Sequence, residues 1–169
     1  MYQRILVAVD GSDTSNKGLD EAAELARLAK ATLCLVHVIE ITDHVTGFEP
    51  CEVFFNDALP AMERAGKRIL QRAGDRAATH GVEVQTRLLK NLAARTSEVI
   101  IAEAIAWHAD LIVIGTHGRH GVDRLIYGSE AQDVLRRSPV PVLLVRAASP
   151  GAQAVPARPA LKAAEAGAT

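Results

Sequence analysis

Two short stretches hold most of the residues that could do chemistry. The first is Asp10-Gly11-Ser12, directly after an apolar run. The second is LIVIGTHGRHGVDRLIYGSEAQDVL over 111–135, where Gly115, Gly118, Gly128 and Ser129 follow the spacing G-x2-G-x9-G-S. Glycines between a strand and a helix can bring main-chain N–H groups close to an anion, because no Cβ stands in the way. Gly128 and Ser129 fall at or near the start of the next helix. Unpaired N–H groups and the positive end of the helix dipole favour negative charge there. Ser129 adds a hydroxyl donor. Arg119 and His120 add cationic partners, Arg119 the surer of the two because its guanidinium stays charged. Asp10 is an acceptor when ionised, which suits ribose hydroxyls or a divalent cation carried by phosphate. Together these parts match a nucleotide. The plainer alternative is that Gly115 merely ends a strand and Gly128 merely permits tight packing.

The elements that must position these residues follow from periodicity. RILVAVDGSD (4–13) reads as a buried strand, Ile5 to Val9, ending in a turn, with Ser12 or Asp13 placed to cap a helix. In that helix Leu19, Ala22, Ala23, Ala26 and Ala29 form one apolar stripe. Further strands are expected at 31–40, 82–90, 110–115 and 140–146, rich in β-branched and aliphatic residues. Helices are expected over Ala58–Thr79, with Met62, Ala65, Ile69, Ala73 and Ala77 on one face and Gly81 as its stop, then over Ser97–His108 and Leu125–Arg136. Trp107 is expected to pack its helix on the sheet. His37, within the second strand, reads as a hydrogen-bonded structural residue.

Strands alternating with helices imply an α/β fold: a doubly wound, open parallel five-stranded sheet with helices on both faces. Right-handed crossovers leave few topologies, and 3-2-1-4-5 is the simplest with two wings. Ligands of such sheets sit outside the carboxyl ends of the strands where the winding reverses. That point lies between strands one and four, where Asp10 and the glycine loop meet.

Two segments read as separate from the core. The connection 41–57, ITDHVTGFEPCEVFFND, has no sustained period and carries Phe48, Phe54 and Phe55, which would cover a ligand or a partner, or tuck against the neighbouring helix. The stretch 147–169 is rich in Ala, Pro and Gly and is expected to be a flexible C-terminal tail, leaving 1–146 as the nucleotide-binding domain.

Composition removes several classes. The chain has 169 residues and a formal net charge of −1, so no global field favours nucleic acid or anionic lipid. No apolar run is long enough for a membrane span, and the first apolar run is too short for a secretion signal. Cys34 and Cys51 make no disulfide framework, which favours a reduced cytoplasmic setting. There is no G-x4-G-K-[ST] run and no G-x-S-x-G elbow, so neither a P-loop lysine nor a hydrolase nucleophile is supported. His117 and His120 form a His-x2-His pair without a clear third metal ligand. DGSDTS (10–15) is distantly similar to the S-G-G-x-D-S loop of ATP pyrophosphatases but lacks its paired glycines.

ILVAVDGS, GTHGRHGVDRLIYGS and SPVPVLLVR, in that order and spacing, strongly resemble the universal stress protein family in its ATP-binding branch. The resemblance covers about residues 2–146. It implies a five-stranded parallel sheet of order 3-2-1-4-5 and a site for ATP, with Mg²⁺ accompanying the triphosphate. By position, Asp10 would bind ribose, Val38 would read adenine through its backbone and Gly115 would flank the ribose. Gly118, Gly128 and Ser129 would hold the phosphates, with the N–H of Glu130 close by. Glu130 departs from the family pattern, where an apolar residue is common. Its carboxylate is expected either to weaken affinity or to help hold Mg²⁺. The resemblance also implies a homodimer joined through strand 140–146, which an apolar edge strand led in by Pro139 and Pro141 suits independently. The expected function is a cytoplasmic, nucleotide-dependent stress-response regulator with slow hydrolysis at most. The alternatives are a slow Mg²⁺-dependent ATPase and a dimeric scaffold that works without nucleotide.

Overall fold

The computed structural model describes residues 1–41, 54–116 and 128–146. Strand β1 (Arg4–Ala8) leads into α1 (Asp13–Ala29), β2 (Thr32–Glu40), α2 (Leu59–Ala78), β3 (Val84–Asn91), α3 (Thr96–Ala106), β4 (Leu111–Gly115), α4 (Ser129–Arg137) and β5 (Val142–Val145). The five strands form one sheet in the order β3-β2-β1-β4-β5, every pair parallel. This is the doubly wound topology that the sequence predicts.

The central strands are apolar on both faces because helices cover both. Ile5 and Val7 of β1 point to one face, where they meet Leu19, Ala22 and Ala26 of α1 and Leu70 of α2. Leu6 points to the other, with Val36, Ile100, Ile112 and Val134. Complete burial of a Leu or Ile side chain stabilises the fold by about 1.5–3 kcal/mol. Cys34 shares the second face, and burial pushes its thiol up to about 11, so it stays protonated near neutral pH. Trp107 caps the C-terminus of α3 as a core residue, its Nε1–H donating to Gln85 Oε1 at 3.0 Å and the Arg4 guanidinium stacked 4.3 Å from its ring centre.

Local signals explain most element ends. Ser12 is the cap of α1, its side chain accepting the Ser15 N–H, and Lys30 closes that helix in a left-handed conformation. Gly81, at φ +70°, turns the chain after α2. Most element ends fall within about two residues of the sequence reading, and two starts differ in kind. Residues Phe54–Ala58, assigned in part to an aperiodic connection, form a π-helical turn that runs into α2. The last helix begins at Ser129 and not at Leu125, because Gly128 leaves the helical region (φ −52°, ψ 142°) and serves as its cap. The predicted stripe on α2 is widened: Gly66 and Leu70 are buried with Ala73 and Ala77, while Met62 and Ile69 pack partly buried against the core and, with Ala65 and Gly66, also line a cleft. The remainder of 41–57, with Phe48, and the whole of 147–169 lie outside the described residues. Among the described residues, no helix is long and apolar enough to cross a membrane.

Candidate functional site

Where the winding reverses, β1 and β4 send their following helices to different sides, and a cleft opens above the carboxyl ends of β1, β2 and β4. It has a volume of about 710 Å³, in the range of small-ligand sites. Asp10, Val38, Gly115, Gly128, Ser129 and Glu130 all lie on its wall. Gly118 and Arg119, with His117 and His120, lie outside the described residues.

Asp10 is fixed by its own turn. Its Oδ1 accepts the Ser12 N–H at 2.9 Å, and its N–H donates to Ser15 Oγ at 3.1 Å. The carboxylate is thereby held at the end of β1 with acceptor character toward the cleft.

Val38 owes its position to the early end of β1. The Val9 N–H still donates to the Val36 carbonyl at 2.8 Å, so the backbone of Val36 faces β1. Backbone direction alternates along a strand, so residue 37 faces β3 and Val38 faces the β1 side again. No partner on β1 receives it: among the described residues neither its N–H nor its carbonyl meets a backbone group there. One peptide donor and one peptide acceptor therefore line the cleft side by side, flanked by Ile39, Met62, Ala65 and Ile100. One donor and one acceptor thus stand on a wall that also carries several apolar side chains.

At the other end stands the head of α4. Among the described residues no side chain caps it, and the Gly128 N–H is already spent on the Thr116 carbonyl at 2.7 Å. The N–H groups that have no acceptor within the helix are those of Ser129, Glu130 and Ala131, all on the cleft wall. Gly128 thus contributes by its turn, and Ser129 and its neighbours by their donors.

Gly115 has a packing reason for being glycine. A Cβ built there would lie 3.0 Å from Thr14 Cγ2, 3.2 Å from the Thr14 carbonyl carbon and 3.3 Å from the Ser15 nitrogen. The first turn of α1 occupies the space a side chain would need. The plainer account of this glycine therefore has a physical basis, whatever else the residue does.

Glu130 reaches across to α3, where its Oε2 accepts the Ser97 N–H at 2.7 Å. Glu40, at the end of β2, takes the Thr96 hydroxyl. Two carboxylates from distant parts of the chain therefore serve the head of α3, an arrangement its dipole favours. Ser97 Oγ donates in turn to Asp133 Oδ2 at 2.8 Å, with Arg136 and Arg137 on the same carboxylate at 2.8 and 3.2 Å. The Ser97 hydroxyl and then the Arg136 guanidinium pull the Asp133 carboxyl down to about 2.

Glu40, Met62, Gly66, Thr96 and Ile100 also belong to the cleft and its brace, and the sequence reading assigned none of them to the site. Only the buried Gly66, inside an otherwise regular helical stripe, carried a local signal. Among the described residues, no cluster of three or more His, Cys, Asp or Glu side chains is arranged to hold a metal ion.

A parallel 3-2-1-4-5 sheet with a cleft at its switch point defines a small doubly wound α/β domain. Residues 1–146 match the model of the universal stress protein family, and the chain belongs to that family. It is 34% identical to the universal stress protein YxiE of Bacillus subtilis (strain 168), an alignment spanning 86% of this chain and all of that one. Among solved structures it resembles a universal stress family protein from Burkholderia pseudomallei, at 34% identity and a TM-score of 0.67, covering 86% of this chain and 97% of that one. It also resembles the Archaeoglobus fulgidus universal stress protein solved in complex with dAMP, at 29% identity and a TM-score of 0.61, covering 85% and 98%.

Proposed function

We propose that the cleft binds an adenine nucleotide, ATP with Mg²⁺ in the first instance, and that the protein is a cytoplasmic stress-response regulator whose surface depends on occupancy. The observation that carries this is the pairing of two unlike ends in one cleft. At one end is the unpaired peptide edge of Val38 among apolar side chains, suited to a purine; at the other is the uncapped head of α4, suited to phosphate. Asp10 stands on the wall as a ribose acceptor. The dAMP complex of the Archaeoglobus fulgidus relative supports an adenine ring as the base. Phosphate contacts fall to Gly118 and Ser129, with Gly128 shaping the turn and Arg119 as a cationic partner.

Mg²⁺ follows from charge. Asp10, Glu40 and Glu130 line the described wall, and neither Lys nor Arg does. A bare triphosphate would meet repulsion there, so the metal complex is the better ligand. The residues that would carry the metal's charge balance are these carboxylates together with the phosphates themselves.

The apolar edge strand β5 supports a homodimer joined there, and the protonated, buried thiol of Cys34 is at ease in a reducing cytoplasm. Glu40 and Glu130 are both engaged at the head of α3, which favours binding with slow turnover over efficient hydrolysis.

The test is direct. Protein purified without added nucleotide is denatured, and the supernatant is chromatographed for adenine nucleotides; calorimetric titration with ATP, with and without Mg²⁺, follows. Intact ATP recovered, and tighter binding with Mg²⁺, is the expected result. Recovered ADP with measurable turnover would make the protein an ATPase. No nucleotide and no binding would leave a scaffold.

A further inference from the structure

The β1–β2 ladder stops one bond early, and a side chain takes the place of the missing bond. After Val9 N–H donates to Val36, the next step of a regular parallel ladder would join the Val38 N–H to the Val9 carbonyl. That carbonyl instead lies 2.7 Å from His37 Nδ1. A carbonyl can only accept, so Nδ1 carries the proton and donates it. The imidazole therefore occupies the backbone acceptor that a longer ladder would offer to the Val38 N–H.

The ring needs room on its α2 side, and Gly66 provides it. A Cβ at residue 66 would come within 2.9 Å of His37 Cδ2 and 2.6 Å of Leu88 Cδ1. Glycine is a poor choice in the middle of a helix, yet any other residue would force the imidazole to move. His37 and Gly66 thus form a matched pair from different elements, both on the cleft wall.

We propose that His37 is a positioning residue for base recognition, with Gly66 as the recess that seats it. By holding the Val9 carbonyl, His37 keeps the peptide edge of Val38 open as a neighbouring donor and acceptor. Adenine offers the complement, a ring nitrogen that accepts beside an amine that donates. Hypoxanthine and guanine offer the reverse, a ring N–H beside a carbonyl oxygen. The device selects adenine over 6-oxopurines. The inference rests on the nucleotide reading of the cleft, but its ladder-breaking step does not.

Two measurements test it separately. In ligand-free protein, amide exchange followed by NMR is expected to be fast at Val38 and slowed about tenfold or more in His37→Leu, where the Val9 carbonyl becomes available to the Val38 N–H. His37→Asn, whose amide can stand in for Nδ1–H, is expected to restore fast exchange. Gly66→Ala is expected to mimic His37→Leu and serves if that variant does not fold. In titrations, the preference for ATP over inosine triphosphate is expected to fall about five- to tenfold in His37→Leu and to recover in His37→Asn. A merely structural role would weaken both ligands alike. Unchanged Val38 exchange, or an unchanged ATP-to-inosine-triphosphate ratio, overturns the proposal. Failure of the wild-type protein to bind either nucleotide, with Val38 exchange shifting as expected, overturns the nucleotide reading and the base selection while the ladder-breaking role stands.

Discussion

Gly115 shows how one residue type can answer two different needs. A glycine after a strand, in a spaced glycine series, invites a phosphate explanation, and the cleft does pass beside it. Its missing Cβ, however, is required by Thr14 and Ser15 of α1. The Thr14 methyl group could yield a few tenths of an ångström, but the Thr14 carbonyl carbon and the Ser15 nitrogen belong to a helix fixed by its cap. Gly115→Ala is therefore expected to destabilise the nucleotide-free protein by about 1–3 kcal/mol, as over-packing does in dense interiors. Urea unfolding without ligand measures it, and a stability within error of wild type would return the residue to a purely ligand-facing role. Glu130 shows a related gap. Its type and position mark it in the sequence as a carboxylate beside a phosphate site. Its hydrogen bond to the Ser97 N–H joins residues 33 positions apart and has no local signature.

At the scale of elements, the heads of α3 and α4 are locked to each other. Ser97 stands at the centre: its N–H meets Glu130, and its hydroxyl meets Asp133. Arg137 adds a bridge from α4 to Glu98 at 2.8 Å. Since α4 presents its head to the cleft, this brace sets where those donors point. The contribution of Asp133 to stability depends on pH. Its folded-state pKa, about 2, lies below its ordinary value of 3.8. The folded state thus favours the charged form, and the stabilisation is complete above about pH 4 and lost as pH falls through about 2. Asp133→Asn is expected to lower the midpoint of thermal unfolding at pH 7, with the gap from wild type narrowing steadily between pH 4 and pH 2. Melting curves across that range check it; a gap that does not change with pH would show that the carboxylate's charge is not what matters.

At the scale of the whole molecule, β5 closes one edge of the sheet, and its two sides have different duties. Pro141 accepts from Ile112 at 3.0 Å and Val145 from Thr116 at 2.9 Å, so their backbones face β4. By alternation Val142 and Leu144 turn their N–H groups outward, away from the sheet. If the homodimer forms along this edge, Leu144→Pro removes an outward donor without breaking the β4 ladder, in a place where proline is tolerated. Sedimentation is expected to give a dimer for the wild-type protein at micromolar concentration and a folded monomer for the variant, with far-UV circular dichroism unchanged. A wild-type monomer would rule out this edge as an interface.

The class, the order of strands and the neighbourhood of the site are legible in the residues alone. Short apolar runs and period-3.6 stripes, Ser12 before a helix and Gly81 after one are local signals, and right-handed crossovers leave little freedom once the elements are known. Asp10, Gly128 and Ser129 could be placed on one cleft because the switch point follows from topology, and Val38 joined them only through the family resemblance. Tertiary structure alone decided which backbone groups are left unpaired and what holds them. The open peptide of Val38 depends on where β1 stops and on an imidazole that reaches the Val9 carbonyl, 28 residues away along the chain. The recess at Gly66, the clash waiting at Gly115 and the carboxylates serving α3 are likewise contacts between elements. Residue type and spacing encode the elements; only packing says which side of a glycine is occupied and which hydrogen bond a side chain has displaced.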